Sequence, residues 1–122
     1  FDMEMLNHIH TKMHKAVVAL GGRIDAIFYC PHPADSKCEC RKPKPGMFKR
    51  ISETLNVDLN GVPAIGDSLR DLQACAAYGC QPMLVMTGKG EETKADGDLP
   101  EGTQEFKDLS AAVDAILQET TP

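Results

Sequence analysis

The chain has 122 residues, of which 42% are hydrophobic and 25% are charged, and its net charge is −5 at pH 7. These values exclude a disordered or collagen-like chain, and the length fits one domain with a core of its own. No apolar run is long enough to cross a bilayer and the N-terminus lacks a secretory pattern, so we expect a soluble, cytoplasmic protein. The acidic balance argues against nucleic acid or an anionic membrane as a partner.

The hydrophobic pattern predicts helices alternating with short strands, in the order α-β-loop-α-β-α-β-loop-α. The first helix begins after a cap at Asp2 and ends at Gly21. The later predicted elements are a strand at 24–29, an irregular loop at 30–46, a helix begun by Pro45 and Gly46, a strand at 62–65, a helix at 69–78, a strand at 83–86, a surface loop at 91–105, and a closing helix begun by Asp108 or Ser110. This alternation predicts an α/β fold, a parallel sheet with helices on both faces.

A Cys-x-His-x5-Cys-x-Cys cluster lies between residues 30 and 40, and its members are Cys30, His32, Cys38 and Cys40. Three thiolates and an imidazole match the soft donor set and the tetrahedral geometry of Zn²⁺. Four protein ligands leave no open position, so the predicted zinc is structural and holds a loop with few apolar residues. The alternatives are reactive thiols or a disulfide, although a bridge between Cys38 and Cys40 would close a strained ring.

The other two of the five cysteines, Cys75 and Cys80, lie in or just after an alanine-rich helix. They have no His or Cys at ligand spacing nearby. We therefore expect them to be buried as small hydrophobic side chains.

The basic residues are concentrated in one stretch, because six of the 13 lie between residues 37 and 50, where Glu39 is the one acid. On an acidic chain this local excess favours a small anionic ligand. Arg41 and Lys42 directly precede Pro43, which restricts the backbone there. The alternative is the solvated start of a basic helix.

The segment Gly66-Asp67-Ser68-Leu69-Arg70-Asp71 is predicted at a strand-to-helix turn. Gly66 lets the backbone approach a ligand, and Asp67 presents a carboxylate suited to Mg²⁺. An Asp in this position is more often a helix cap, a role also open to Asp71. Arg41 and Lys42 favour the metal, because both loops come at the carboxyl ends of strands, and a cation beside two basic groups is what phosphoryl transfer needs.

Four segments together resemble the zinc-loop phosphatases of the haloacid dehalogenase superfamily: Cys30-Pro31-His32, the run from Cys38 to Met47, the turn at 66–71, and Val85-Met86-Thr87-Gly88-Lys89-Gly90. The resemblance covers essentially the whole chain. It implies the Rossmann-like fold of that superfamily, zinc and magnesium as cofactors, and hydrolysis of a phosphomonoester of a sugar bisphosphate, most closely a heptose bisphosphate. Histidinol-phosphatase is the alternative within the group. Its similarity extends through the zinc loop and the Arg-Lys-Pro-Lys run and ends there.

The resemblance also implies a role for each site residue. Lys42 would neutralise the nucleophilic aspartate and the transferred phosphoryl group, and Arg41 would recognise substrate. Asp67 would complete the coordination shell of Mg²⁺, and Asp71 would support that shell without binding the ion directly. Ser68 stands where some members have a lysine that contacts substrate. The family's four zinc ligands match Cys30, His32, Cys38 and Cys40.

One feature of the superfamily is missing from these 122 residues. Its catalysis begins with an Asp-x-Asp pair at the tip of the first strand, where one carboxylate attacks phosphorus and the other acts as general acid and base. Asp96-Gly97-Asp98 has this spacing, but we interpret it as a decoy in a polar loop. We therefore expect residues 1–122 to be the C-terminal part of a single phosphatase domain, lacking its N-terminal strands, with unpaired strand edges and no turnover by itself.

Two function classes remain as alternatives. A non-catalytic zinc-binding module would explain the cysteine cluster and the missing nucleophile, but it would leave Asp67 and the Arg41-Lys42 pair as coincidences. A phosphate-binding regulatory protein would bind a sugar phosphate without releasing phosphate. We expect a small-molecule sugar phosphate as the partner, with no nucleic acid, no membrane and no second subunit.

Overall fold

A computed structural model describes residues 2–32 and 37–120, so residues 33–36 of the predicted zinc loop lie outside the described residues. In chain order its elements are α1 (Met3–Ala19), α2 (Gly46–Leu55), β1 (Pro63–Gly66), α3 (Leu69–Ala77), β2 (Gln81–Val85), α4 (Gly90–Asp96), β3 (Gln104–Phe106) and α5 (Leu109–Thr120).

The three strands form one parallel sheet in the order β1-β2-β3, against which α3 and α5 pack. Ile65 of β1 is in register with Met83 of β2, and Leu84 of β2 with Glu105 of β3. The four residues of β2 from Pro82 to Val85 are all buried. Because successive side chains of a strand point to opposite faces, β2 is covered on both faces, which confirms the predicted parallel α/β sheet.

Helices α1 and α5 begin at predicted capping residues, whereas the N-cap of α3 is Ser68 and not Asp67 or Asp71. Ser68 and Asp71 form a capping box at the first turn of α3. Asp108, rather than Ser110, caps α5, because its Oδ1 accepts a hydrogen bond of 2.9 Å from the amide of Ala111. In α1, Asp2 Oδ1 accepts a bond of 2.8 Å from an amide of the first turn, as predicted.

The buried side chains belong to the sheet, α3 and the segments next to them. Leu72, Cys75, Met83 and Leu84 are the largest fully buried side chains. Cys80 is buried as well, so the prediction for the two isolated cysteines is confirmed. Burial, and then the neighbouring Cys80, raise the pKa of the Cys75 thiol to about 12, and burial also raises the pKa of Cys80. Both thiols are therefore neutral near pH 7, and neutral thiols are poor nucleophiles.

Helix α1 differs from the helices on the sheet, since none of its residues is buried. The apolar stripe that predicts the helix stays partly exposed: Met5 is 53%, Ile9 38% and Met13 42% accessible. The few contacts that hold this part of the chain include a hydrogen bond of 3.2 Å from the Tyr29 hydroxyl to the Met3 sulfur.

The predicted strand at 24–29 is wrong, because these residues form no ladder with any strand that the structure describes. Phe28 and Ile65 instead line a common cavity of about 280 Å³, together with Ile51 of α2. Paired strands lie roughly 4.8 Å apart, so segments on either side of such a space cannot share backbone hydrogen bonds. The expectation of an unpaired edge on the Asp67 strand holds, since β1 ends the described sheet.

The predicted surface loop at 91–105 is also wrong, because it contains most of α4 and part of β3. Gly90 is buried against the carbonyl of Val85, where a side chain would clash. Thr93, which is buried within α4, donates its hydroxyl to the Asp67 carbonyl just after β1. These tertiary contacts stabilise a short polar helix that has no apolar period of its own. Within the described residues, no helix is both long and apolar enough to span a membrane.

Candidate functional site

The four residues of the Cys/His cluster converge although their loop has little regular structure. Their ligand atoms all lie within 4.8 Å of one another. The Sγ atom of Cys30 lies 3.6 Å from His32 Nδ1 and 3.5 Å from Cys38 Sγ, and His32 Nδ1 lies 3.2 Å from Cys40 Sγ. The Cys40 and Cys30 sulfurs, 2.9 Å apart, are well beyond the roughly 2.05 Å of a disulfide bond, and no disulfide joins Cys30, Cys38 or Cys40.

These separations suit one tetrahedral ion. Zinc bonds of about 2.3 Å to sulfur and 2.0 Å to nitrogen place neighbouring ligands roughly 3.5 to 3.8 Å apart. The Cys30–His32 and Cys30–Cys38 distances fit this range, and the two distances to the Cys40 sulfur are shorter. Hydrogen bonding to Cys30, burial, and the nearby Cys38 raise the pKa of the Cys40 thiol to about 12. Packed thiols resist losing their protons, and a bound cation is what makes thiolates stable together. The donor set therefore fits a metal ion better than it fits three reactive thiols.

The backbone between the cluster and α2 is tied to the cluster by hydrogen bonds. Arg41 donates to the carbonyl of His32 at 3.4 Å, and Lys44 Nζ donates to the carbonyl of Cys38 at 3.3 Å. The amide of Gly46, the first residue of α2, donates to the carbonyl of Glu39 at 2.9 Å. The segment that carries Arg41 and Lys42 is thus fixed at one end by the cluster and at the other by α2.

The Asp67 carboxylate lies at the carboxyl end of β1, where contacts from the next crossover hold it. The amide of Lys89 donates to Asp67 Oδ2 at 3.0 Å, and the hydroxyl of Thr93 donates to the Asp67 carbonyl at 2.7 Å. Gly88, with φ of +60°, passes so close to the carboxylate that a Cβ there would overlap Oδ2. No described residue bonds to the second carboxylate oxygen, Oδ1, so it is available to a ligand.

Lys42 reaches across the site to Asp71. Its Nζ donates a short hydrogen bond to Asp71 Oδ1 and forms an ion pair with that carboxylate. Asp71 Oδ2 accepts a bond of 3.3 Å from the amide of Ser68, whose hydroxyl accepts one of 3.3 Å from the amide of Asp71. A Cβ at Gly66 would lie 2.5 Å from the Asp71 Cβ, so only glycine lets β1 and α3 approach this closely.

The protonation of Asp71 reflects these contacts. Burial alone would raise the pKa of this carboxyl, but the hydrogen bond and charge of Lys42, with help from Ser68, hold it below its ordinary 3.8. Asp71 is therefore ionised at neutral pH. It holds the Lys42 ammonium beside the turn at 66–71 that follows β1, named the β1 turn.

A cavity of about 470 Å³ lies between the β1 turn and the segment at 41–44, named the basic segment. Arg41 and Lys42 line one side, and Asp67, Ser68 and Asp71 line the other. Arg70 and Lys89 line the cavity as well. Four basic side chains and two carboxylates thus line one open space large enough for a phosphorylated sugar. The structure brings the sequence-predicted site residues to one end of the sheet, although Lys42 pairs with Asp71 rather than with Asp67.

Sequence reasoning assigned no role to Lys89 or Thr93, which hold Asp67 in place. Thr93 was hidden in a segment without hydrophobic period. The signal that could have found Lys89 is topological, because a turn after one parallel strand lies beside the turn after its neighbour. The Thr87-Gly88-Lys89-Gly90 turn follows β2, the neighbour of β1.

The fold and this site define a class of protein. The HAD-hydrolase-like family model matches residues 39–112, which include the basic segment, the β1 turn and the whole sheet. The chain therefore belongs to that family.

Relatives narrow the comparison. The chain is 57% identical over 119 residues to D-glycero-beta-D-manno-heptose-1,7-bisphosphate 7-phosphatase of Bordetella bronchiseptica, covering 98% of this chain and 66% of the relative. It is 48% identical over 118 residues to the protein of the same name from Pseudomonas aeruginosa, with 97% and 66% covered. This chain thus spans slightly less than two thirds of the length of these relatives.

A solved structure gives the same comparison in three dimensions. The crystal structure of D,D-heptose 1,7-bisphosphate phosphatase from B. bronchiseptica, complexed with magnesium and phosphate, superposes with a TM-score of 0.94 at 57% identity. The match covers 98% of this chain and 67% of that one.

Proposed function

We propose that this chain is the C-terminal part of a single haloacid dehalogenase-like phosphatase domain that removes the 7-phosphate of D-glycero-D-manno-heptose 1,7-bisphosphate. The observation that carries the proposal is the cavity in which Lys42 and Arg41 face the turn that bears Asp67. The identity of 57% to a relative of that name supports the choice of a heptose bisphosphate as substrate.

In the proposed mechanism, Lys42 holds the transferred phosphoryl group by charge. Its ammonium is already positioned by Asp71, so little reorganisation is needed when the anion arrives. The ionised Asp71 orients the Lys42 ammonium, and it acts on substrate only through that lysine. Arg41 lies at the same cavity and binds the substrate phosphate with its planar fork of donors.

Asp67 is the residue we propose to hold Mg²⁺. One of its oxygens is occupied by the amide of Lys89, and the other can bind a hard cation together with water and substrate oxygens. One or two carboxylates plus a phosphate are a common ligand set for this ion, so the residues present fit it. When bound, Mg²⁺ would neutralise charge on the phosphoryl oxygens during transfer.

The Cys30, His32, Cys38 and Cys40 cluster is the proposed zinc site, and its role is structural. Its four donors match the coordination number of zinc and leave no position for substrate. Arg41 follows Cys40 directly and donates to the carbonyl of His32, so the cluster positions the guanidinium.

The carboxylate nucleophile is not among these residues. The one Asp-x-Asp of the chain, Asp96-Gly97-Asp98, begins at the last residue of α4, and no strand leads into it. We propose that the nucleophile and the general acid come from polypeptide outside the 122 residues.

Phosphate release from D-glycero-D-manno-heptose 1,7-bisphosphate tests this proposal. With Zn²⁺ and Mg²⁺ present, residues 1–122 alone should give no turnover. The full-length protein that contains them, including an Asp-x-Asp strand, should release one phosphate per substrate. Lys42→Met in that protein should lower kcat at least about a hundredfold, because a charged group that meets the transition state is lost. Turnover by residues 1–122 alone, or full activity of the Lys42→Met variant, would contradict the assigned roles.

A further inference from the structure

A second cavity, of about 360 Å³, adjoins the site cavity. Ser68, Arg70 and Lys89 line both cavities, and Glu92 and Asp96 of α4 line the second one alone. A ligand held at Asp67 can therefore extend past Arg70 and Lys89 into this space.

The two basic side chains at the boundary have no partner in the part of the chain that the structure describes. Arg70 and Lys89 form no ion pair and no side-chain hydrogen bond with residues 2–32 and 37–120. Lys42, by contrast, is paired with Asp71. Unpaired cations lining a cavity attract an anion, and the fork of an arginine can bind phosphate through two hydrogen bonds.

The backbone of both residues is fixed relative to the Asp67 carboxylate. Arg70 lies in the first turn of α3, directly between Leu69 and the capping-box residue Asp71. Lys89 donates its amide to Asp67 Oδ2 at 3.0 Å. A group bound between these side chains is thus held at a set distance from the proposed Mg²⁺ ligand, as a specificity site requires.

The acidic residues limit where a phosphate can lie. Glu92 and Asp96 are four residues apart on α4, so they share one helix face toward the second cavity. Their carboxylates repel a phosphate from the α4 side, but they can accept hydrogen bonds from sugar hydroxyls. The position favoured for an anion is therefore the boundary formed by Arg70 and Lys89.

We infer that Arg70 and Lys89 bind the second phosphate of the bisphosphate, the one that is not hydrolysed. This inference rests on the proposed function, since it assumes that the first phosphate lies between Lys42 and Asp67. It explains how the protein would distinguish a bisphosphate from a sugar with one phosphate: only the bisphosphate contacts both sites.

The test compares kcat/KM for D-glycero-D-manno-heptose 1,7-bisphosphate with that for the 7-monophosphate in the full-length protein. The wild type should prefer the bisphosphate. Arg70→Gln and Lys89→Gln should each reduce kcat/KM for the bisphosphate about 10- to 100-fold more than kcat/KM for the monophosphate, the range expected for losing a charged hydrogen bond. Arg70→Lys should recover part of the preference, because it keeps the charge without the fork.

Lys94→Gln is the matched control, since Lys94 pairs with Glu105 and lines neither cavity. It should leave both kcat/KM values unchanged. An equal loss for both substrates, or no loss in the Arg70 and Lys89 variants, would overturn the inference while the proposed function stands. If the wild type hydrolyses neither substrate, the proposed function itself fails before any variant is compared.

Discussion

The chain has two regions that are stabilised in different ways. From α2 to α5, side chains such as Leu72 and Leu84 are buried between a parallel sheet and its helices. From α1 to Pro45, no residue that the structure describes is buried. This first region is held by the Cys/His cluster, by the Lys42–Asp71 ion pair and by Arg50 stacked 5.3 Å from the centre of the Phe28 ring.

The comparison shows where the site lies. The carboxylate of Asp67 belongs to the packed region, and Arg41 and Lys42 belong to the loosely held one. The cavity between them depends on polar contacts and the Cys/His cluster rather than on apolar packing. Changes in the packed region should therefore alter global stability, and changes in the first region should alter ligand binding.

The largest effect on stability is expected at the centre of the sheet. Leu84→Ala removes a fully buried side chain from β2 and should lower the free energy of unfolding by about 2 to 5 kcal/mol, through lost burial and the cavity left behind. Urea titration followed by circular dichroism measures this value. A loss below about 1 kcal/mol would mean that β2 is not the core of the packed region.

Loss of the proposed zinc site should affect the first region more than the packed region. Cys38→Ser should remove bound zinc, reduce protection of the amides from residue 37 to 45 in hydrogen exchange, and weaken phosphate binding about tenfold, because Arg41 loses its anchor. Metal analysis, exchange mass spectrometry and calorimetry measure the three effects. Cys80→Ala is the matched control and should keep its zinc. Unchanged exchange after zinc loss would show that the loop is held by other contacts.

The Lys42–Asp71 pair should make stability depend on acid. The pKa of Asp71 is depressed in the folded state, so its contribution is present above the ordinary value of 3.8 and is lost as pH falls through the lower folded value. The side chain of Lys42 is 42% exposed, so solvent screening limits the effect to at most about 1 kcal/mol. Asp71→Asn should flatten this part of the stability profile measured between pH 5 and pH 2. An identical profile in the variant would contradict the assignment.

The smallest effect is expected on α1. Met13 is 42% exposed, and Met13→Ala should change the free energy of unfolding by less than about 0.5 kcal/mol, since little apolar surface is buried and alanine favours helix. The same urea titration applies. A loss near that of Leu84→Ala would place α1 in the packed core.

Prediction from sequence succeeded where local signals decide the structure. Asp2 and Asp108 mark the starts of α1 and α5. Prediction failed where distant contacts decide. Gly66 was predicted to admit a ligand, but the structure needs glycine there because β1 and α3 approach closely at Asp71. The apolar run at 24–29 has the composition of a strand but no neighbour to pair with, and the polar segment that contains Thr93 becomes helical because it packs under Asp67.

The candidate site shows the same division. The spacing of Cys30, His32, Cys38 and Cys40 could indicate a metal because all four donors come from one short loop. The pairing of Lys42 with Asp71 rather than Asp67 could not be read from spacing, because the two residues lie 29 positions apart and meet only through the fold. The contact of Lys89 with Asp67, over 22 positions, has the same origin.

The central claim is that a phosphate and a divalent cation share the cavity between Lys42 and Asp67. Mn²⁺ prefers the same oxygen ligands as Mg²⁺, and its unpaired electrons broaden the phosphorus resonance of a nearby phosphate. We predict strong ³¹P broadening of inorganic phosphate by the protein with Mn²⁺, abolished by Asp67→Asn and by Lys42→Met but unaffected by Lys94→Gln. Equal broadening in the wild type and in the Asp67→Asn and Lys42→Met variants would contradict the account.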